Sequence, residues 1–246
     1  MRFLILSDIH ANWEALEAVL SGASGQYDRI VCCGDLIGYG PDPNRVVDWV
    51  RENVATVIRG NHDKVTLGAE ILEWFNPVAK AAAIWTLAVL TPENCRYVQQ
   101  LPKGPLAVDG YQIVHGSPLD EDEYLFGAEE VEQAFAYLDR DLTFFGHTHV
   151  QGGFTSTRRR ARMISGVRWD EESAALDLNP DDVYLINPGA IGQPRDGDPR
   201  AAYVLYDTED RYVLYCRQEY DISAVQAKIR RAGLPDILAE RLAVGQ

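Results

Sequence analysis

Short apolar runs that stop abruptly at histidine, aspartate or glycine set the strongest limit on how this chain folds. Phe3 to Leu6 halts at Ser7 and delivers Asp8-Ile-His10. Tyr27 to Cys33 delivers Gly34-Asp35, and Ala55 to Ile58 delivers Arg59-Gly60-Asn61-His62-Asp63. Tyr111 to Val114 leads into His115-Gly116-Ser117, and Leu142 to Phe145 into Gly146-His147-Thr148-His149. An apolar run of this length, bounded by turn residues, reads as a buried strand. All five histidines of the chain lie in these strand-end blocks. In open α/β sheets, ligands bind in the crevice outside the carboxyl ends of the strands. Asp-x-His alone is weak evidence for a metal. Five blocks of imidazole and carboxylate aimed at one crevice are strong evidence.

Between the blocks the pattern is mostly helical. Trp13, Leu16, Val19 and Leu20 share one helical face that ends at Ser21-Gly22, and Asn44 to Glu52 is amphipathic. Strand, helix, strand, helix, strand implies a parallel sheet with helices on its faces. Lys64 to Phe75 is predicted as one helix. Asn76-Pro77 and Thr91-Pro92 each place a proline just after a cap, starting helices that run to Leu90 and Gln100. Trp85, Ala88 and Val89 are assigned to core. Asp109-Gly110 marks a hairpin turn, and Ala128 to Leu138 is predicted as a helix. A second hairpin is expected over Gln151 to Ile164, turning at Arg158 to Arg160. Ser165 to Asp182 is read as an acidic, irregular surface loop. Val183 to Ile186 leads into Asn187-Pro188-Gly189, and Arg195 lies in the Gly/Pro loop that follows. A late hairpin and two short helices close the chain. The expectation is one α/β domain over residues 1–246: a four-layer α/β/β/α sandwich of two mixed β-sheets with flanking helices. Its metal site would lie at the strand C-terminal ends, with the 64–100 helical segment flanking it.

Charge and composition narrow the function. The net charge is −14, which argues against stable nucleic-acid binding, since there is no basic footprint. A phosphorylated substrate stays open, because bound divalent cations reverse the local field. The cluster Arg158, Arg159, Arg160 and Arg162 lacks interleaved aromatics and is read as a solvated turn. No apolar run approaches the roughly 18 residues of a membrane span, and Asp8 and His10 interrupt any leader-like pattern. Cys32, Cys33, Cys95 and Cys216 form no CxxC pair and are read as free thiols. A cytoplasmic protein is the expectation.

Taken in order, Asp8-x-His10, Gly34-Asp35, Gly60-Asn61-His62-Asp63, His115-Gly116 and Gly146-His147-Thr148-His149 resemble the calcineurin-like metallophosphoesterases. That family carries DxH, GD, GNHD or GNHE, H and GHxH. Asn187-Pro188-Gly189 and the following Gly192-Gln-Pro-Arg-Asp-Gly197 resemble its smaller bacterial and archaeal members. One departure is Ala11, where the family often has glycine. The resemblance implies two divalent transition-metal ions bridged by Asp35. Asp8, His10 and His149 would complete one site, and Asn61, His115 and His147 the other. Imidazole, carboxylate and amide donors without thiolate suit Mn, Fe or Zn. His62 would face the substrate, and Asp63 would orient it or cap the next helix. Arg59 and Arg195 would clamp a phosphate, or else form salt bridges with Asp63 and Asp196. Asn12 and Tyr39 are candidate substrate contacts.

The implied reaction is hydrolysis of a small phosphorylated substrate by metal-activated hydroxide. Phosphodiesters or nucleotides come first, with phosphomonoesters, phosphoproteins and dinucleoside polyphosphates still open. The competing class is a non-catalytic scaffold on the same fold, as in the retromer subunit whose site has degraded. Completeness of the ligand set favours the enzyme. Oligomeric state is not legible.

Overall fold

Strand β1 (Arg2–Leu6) can form only where both faces are covered, because Phe3, Leu4, Ile5 and Leu6 are all apolar and all buried. Phe3 and Ile5 enter one core, Leu4 and Leu6 another. The structure, a computed structural model, describes residues 1–246 apart from Arg158, Arg159 and the side chain of Ala128. After β1 come α1 (Trp13–Gly22), β2 (Arg29–Cys32), α2 (Pro43–Asn53) and β3 (Thr56–Val57). The three strands run parallel.

Lys64 to Phe75 departs from the expected single helix. Two short 3₁₀ turns, Asp63–Thr66 and Ala69–Trp74, occupy it, with Gly68 extended between them. Glycine in a helix interior costs about 1 kcal/mol relative to alanine, and here it breaks the run. Helices α3 (Pro77–Val89) and α4 (Pro92–Gln99) start at the caps read from sequence: Asn76 accepts from the N–H of Val78 and Ala79, Thr91 from that of Asn94. Helix α3 buries Ala79, Ala82, Ala83 and Thr86. Those positions form one face by their spacing of three and four, so Ala88 and Val89 are left exposed and Trp85 half-buried.

The chain continues through β4 (Leu106–Val108), β5 (Tyr111–Ile113), α5 (Ala128–Ala136), β6 (Leu142–Phe144), β7 (Gly152–Thr157) and β8 (Arg160–Ser165). The β7–β8 hairpin pairs Thr157 with Arg160. Its tip, part of the arginine cluster, lies outside the described residues. Then come β9 (Ser173–Asp177), β10 (Val183–Asn187), β11 (Ala201–Asp207), β12 (Tyr212–Gln218), α6 (Ile222–Arg231) and α7 (Asp236–Leu242). Strand β9 lies inside the segment expected to be irregular. It pairs with β12 at a sheet edge, and only Ala174 and Leu176 face inward. Two inward apolar residues in an acidic stretch are too few to announce a strand.

The sheets have the orders β3-β2-β1-β11-β12-β9 and β4-β5-β6-β10-β7-β8. Both are mixed. β1 is antiparallel to β11, while β5, β6 and β10 run parallel. The sheets share one core. Phe3, Ile5 and Val31 meet Tyr111, Ile113, Phe144 and Ile186 there, with Tyr111 edge-on to Phe3 and Phe144. Leu16 and Val19 of α1 and Val46 and Val50 of α2 cover the other face of the first sheet. Val131 and Ala134 of α5 pack on Phe145 and Leu185 of the second. The two parallel trios therefore end side by side, which brings their terminal loops together. Among the described residues, no helix is long and apolar enough to cross a membrane.

Candidate metal centre

The loops after the parallel strands are strained in one place. Asp8, His10, Ala11, Asp35, Tyr39, His147 and His149 all hold φ between 47° and 67°. Each such non-glycine residue costs of order 1 kcal/mol or more, and such strain gathers at functional sites. Among the other described residues, only Asp109 and Arg211, in hairpin turns, have φ above zero without being glycine. Hydrogen bonds between loops hold the strain: Asp8 N donates to Gly34 O, His10 N to Asp35 O, and Ala11 N to Leu36 O. Ala11 adopts the left-handed conformation that its glycine counterpart takes without cost. Gly60 is required by close approach, because a Cβ there would strike the Asp35 carboxylate.

Two groups of buried ligand-type residues result. Asp8, His10, Asp35 and His149 form one; Asp35, His115 and His147 form the other. Within each, the ligand atoms lie within 4.8 Å of one another, and Asp35 belongs to both. Asp35 Oδ2 sits 3.5 Å from His10 Nε2 and 3.4 Å from His115 Nε2. His149 Nε2 is 3.3 Å from Asp8 Oδ1. Asn61 Oδ1 is 3.1 Å from His115 Nε2, placing the amide oxygen at the second group.

Backbone carbonyls set which imidazole nitrogen faces inward. His10 Nδ1 donates to Ile37 O at 3.0 Å, His149 Nδ1 to Gln193 O at 2.6 Å, and His115 Nδ1 to Cys33 O at 2.9 Å. His147 is reversed: Nε2 donates to Asp122 O at 3.1 Å, leaving Nδ1 as its lone pair. Carbonyl partners of this kind orient metal-binding histidines. With Nδ1 pinned, His10 and His149 present Nε2 to each other at 3.0 Å, an opposition that a cation or a shared proton must relieve. Asp35 Oδ2 is buried with no hydrogen-bond partner. The donor set therefore fits a pair of divalent cations.

The charges agree. Burial alone would raise the Asp35 carboxyl, but attraction to His115 and His62 holds it well below the usual carboxylate range. Burial likewise opposes ionisation of Asp8, and His149 and His115 outweigh it. Burial pushes His10 well down and His147 down to about 3. His115 goes the other way: burial lowers it, yet Asp35 wins and carries it to about 10. The metal-free protein thus keeps His115 as an imidazolium near neutral pH, and a metal must displace that proton. Cation uptake at pH 8 should release a proton, and apparent affinity should rise about tenfold per pH unit toward 10. Calorimetry in buffers of different ionisation enthalpy measures this, and pH-independent affinity would contradict it. The sign for stability is opposite. The His115–Asp35 attraction stabilises the metal-free fold fully below pH 6.5 and is lost as pH rises through 10.

His62 stands beside the ligand groups without joining them. Its ring packs between Tyr39, Phe75 and His10, with centroids 4.4, 4.8 and 4.8 Å away. Nδ1 is buried and unpartnered. Its backbone N–H donates to Asp35 Oδ1 at 2.8 Å. Burial pushes the imidazole down to about 4.

Asp63, expected to orient His62 or cap a helix, does neither. Its carboxylate accepts from the backbone N–H groups of Asp35, Leu36, Ile37 and Gly60. It ties the Asp35 loop to the Asn61 loop. Burial and the neighbouring Asp35 charge push it up to about 7, against the pull of those donors. Asp63→Ala should loosen both loops and weaken metal affinity by roughly 10–100-fold, the usual cost of losing an outer partner. Metal titration followed by mass spectrometry checks this; unchanged affinity would mean that the loops hold their shape unaided.

Arg59, expected to clamp a phosphate or pair with Asp63, is held by another carboxylate. It forms a two-pronged pair with Glu121, at 3.1 and 2.9 Å, which Lys64 joins at 3.2 Å. Asn12 is also spent, accepting from Ala15 N as the cap of α1 and donating to Gly192 O. Arg195 makes no salt bridge with Asp196, which pairs with Arg217 instead. Its Nη2 reaches Tyr39 Oη and Gln193 Oε1, each at 3.3 Å. Tyr39 lies over His10 and His62. Sequence reading missed Tyr124, stacked on His147 at 3.8 Å, and Glu121, the partner of Arg59. It also missed that Asn187 Nδ2 holds Gly146 O and Thr148 Oγ1. Only for Asn187 was there a signal, the Asn-Pro-Gly turn.

Comparison with known proteins agrees with this geometry. Residues 1–211 match the calcineurin-like phosphoesterase superfamily domain. An uncharacterised protein of Methanocaldococcus jannaschii is 36% identical over 251 residues, covering 98% of this chain and 97% of that protein. A metallophosphoesterase from Sphaerobacter thermophilus superposes with a TM-score of 0.86 at 40% identity, over 100% of this chain and 99% of its own. A hypothetical protein from Pyrococcus horikoshii shares the fold, with a TM-score of 0.78 at 19% identity, covering 100% and 98% of the two chains. The chain belongs to the calcineurin-like metallophosphoesterase superfamily, in its small bacterial and archaeal branch. Fold and ligand residues together support metal-dependent hydrolase activity.

Proposed function

We propose that this chain is a phosphoester hydrolase with a dinuclear centre, one domain layered α/β/β/α, acting on a small phosphodiester or nucleotide. The observation that carries the reading is Asp35 Oδ2, unpartnered and placed almost equally between His10 and His115. Two divalent transition-metal ions, Mn, Fe or Zn, supply Lewis acidity and an activated water when bound.

The chain's own groups do the rest. Asp35, Asp8, Asn61 and the four ligand histidines would hold the cations. His62 is neutral at pH 7, so its ring can donate a hydrogen bond to the leaving oxygen. Arg195 is the arginine beside the site left free of a carboxylate among the described residues, and it can clamp phosphoryl oxygens. Tyr39, Phe75 and Tyr124 crowd the approach to His10, His62 and His147. That crowding favours a small substrate and gives the 64–100 segment, through Phe75, a share in selecting it.

Turnover of bis(p-nitrophenyl) phosphate against p-nitrophenyl phosphate, with manganese present, tests the reading. Faster diester cleavage is the expected result. A monoester preference would overturn the substrate class, and a metal-loaded protein that cleaves neither these nor nucleotides would overturn the enzyme.

A further inference from the structure

Residues 117–124 form a loop that touches the carriers of His115, His147 and Asn61 together. It closes on the His115 strand end at Gly116, where a Cβ would strike the carbonyl oxygens of Asp120, Glu121 and Glu123. It reaches His147 twice. Asp122 O accepts from Nε2 at 3.1 Å, and the Tyr124 ring stacks on the imidazole at 3.8 Å. It reaches the Asn61 loop through ion pairs. Glu121 takes both prongs of Arg59, at 3.1 and 2.9 Å, and Lys64 Nζ at 3.2 Å. Lys64 also pairs with Asp122. Arg59 and Lys64 flank Gly60-Asn61-His62-Asp63, so the two cations bracket Asn61.

The contacts are one-sided. Among the described residues, no hydrogen bond or ion pair joins the loop to Asp8, His10 or His149, whose partners are Gly34, Ile37, Gln193 and one another. Glu121 is the hub. Its side chain is 7% exposed, and both carboxylate oxygens are used. Burial opposes its ionisation, and Arg59 and Lys64 outweigh it. The turn itself does not need Glu121, because Ser117 Oγ accepts from the N–H of Leu119 and Asp120. What Glu121 fixes is the seat of that turn against Asn61 and His147. Removing one partner of a buried pair leaves the other charge uncompensated, and here it leaves two cations side by side.

We propose that Glu121 is a positioning residue for the second ligand group. Its pairs with Arg59 and Lys64 lock the 117–124 loop, so that the His147 Nδ1 and the Asn61 amide oxygen serve one cation. The first group, Asp8, His10 and His149, does not depend on it. The proposal rests on the dinuclear reading above.

Zinc alone is titrated into the metal-free full chain labelled with 15N-histidine. The chain has five histidines, four of them in the ligand groups, so His10 and His149 report one ion and His115 and His147 the other. Glu121→Gln keeps the size and removes the charge. His115 and His147 should then need about tenfold more zinc, the lower end of the cost of losing an outer partner, while His10 and His149 saturate as in the parent. The metal-free His147 ring should also pass from the Nε2–H form to a mixture of tautomers. Arg59→Met should weaken the same two histidines, and the double variant should lose no more than Glu121→Gln alone, because both act through one pair. Equal weakening at all four histidines would overturn the proposal, as would zinc binding that neither variant alters or a double variant that loses the product of the two single effects. A parent chain that takes up one zinc only would overturn the dinuclear reading and this proposal with it.

Discussion

Asp35→Asn should remove metal and activity together. Asp35 Oδ2 is the one carboxylate oxygen shared by both ligand groups, 3.5 Å from His10 and 3.4 Å from His115. Asparagine keeps the shape but carries no charge, so two nearby cations would lose the anionic bridge proposed for them. The loss of affinity should exceed the 10–100-fold typical of an outer partner, so about 100-fold or more at each ion. Metal analysis after dialysis, beside turnover with excess manganese, reads both quantities. A variant that retains two ions per chain would rule Asp35 out as the bridge. Oδ1 also accepts the His62 N–H at 2.8 Å, an interaction asparagine can keep through its own oxygen. Thermal melting should therefore show a folded protein, which separates loss of metal from loss of structure.

His62→Ala separates what Asp35→Asn joins. The His62 ring makes no hydrogen bond among the described residues and lies outside both ligand groups. Its link to the centre is the backbone N–H on Asp35, which alanine retains. Metal content should stay at the parent level while turnover falls by roughly 10²–10³-fold, the range for removing one hydrogen-bond donor from developing charge. Loss of metal in this variant would show that the ring supports the centre instead. The substitution also opens space between Tyr39 and Phe75. A rise in KM alone, with kcat unchanged, would assign the ring to substrate packing rather than to the reaction.

Those two residues mark the boundary of what could be read early. The ligand blocks were legible because each is local. Asp8-x-His10, Gly60-Asn61-His62-Asp63 and Gly146-His147-Thr148-His149 each sit in one loop, right after a run that must be buried. The parallel order of the first strands followed from the same runs and the amphipathic helices between them. Local rules failed where a partner lies far along the chain. Arg59 could have met a phosphate, but Glu121, 62 positions away, takes both prongs of its guanidinium. Asp63 is adjacent to His62, yet three of its four donors come from the Asp35 loop. Asn12, expected to contact substrate, caps α1 instead, with its other amide end held by Gly192. Strand β9 is specified by β12, its pairing partner, more than by its own composition.

The sequence by itself determined the ligand types, their order and the strands that carry them, because burial of short apolar runs and the spacing within one loop are local constraints. Tertiary structure decided the rest. Packing the two sheets face to face placed Asp35 between histidines from different loops and chose the inward nitrogen of each ring through carbonyls such as Ile37 O and Gln193 O. It also decided which charged side chains remained free, since an ion pair depends on distance in space. Glu121 removed Arg59 and Arg217 removed Asp196, leaving Arg195 beside Tyr39.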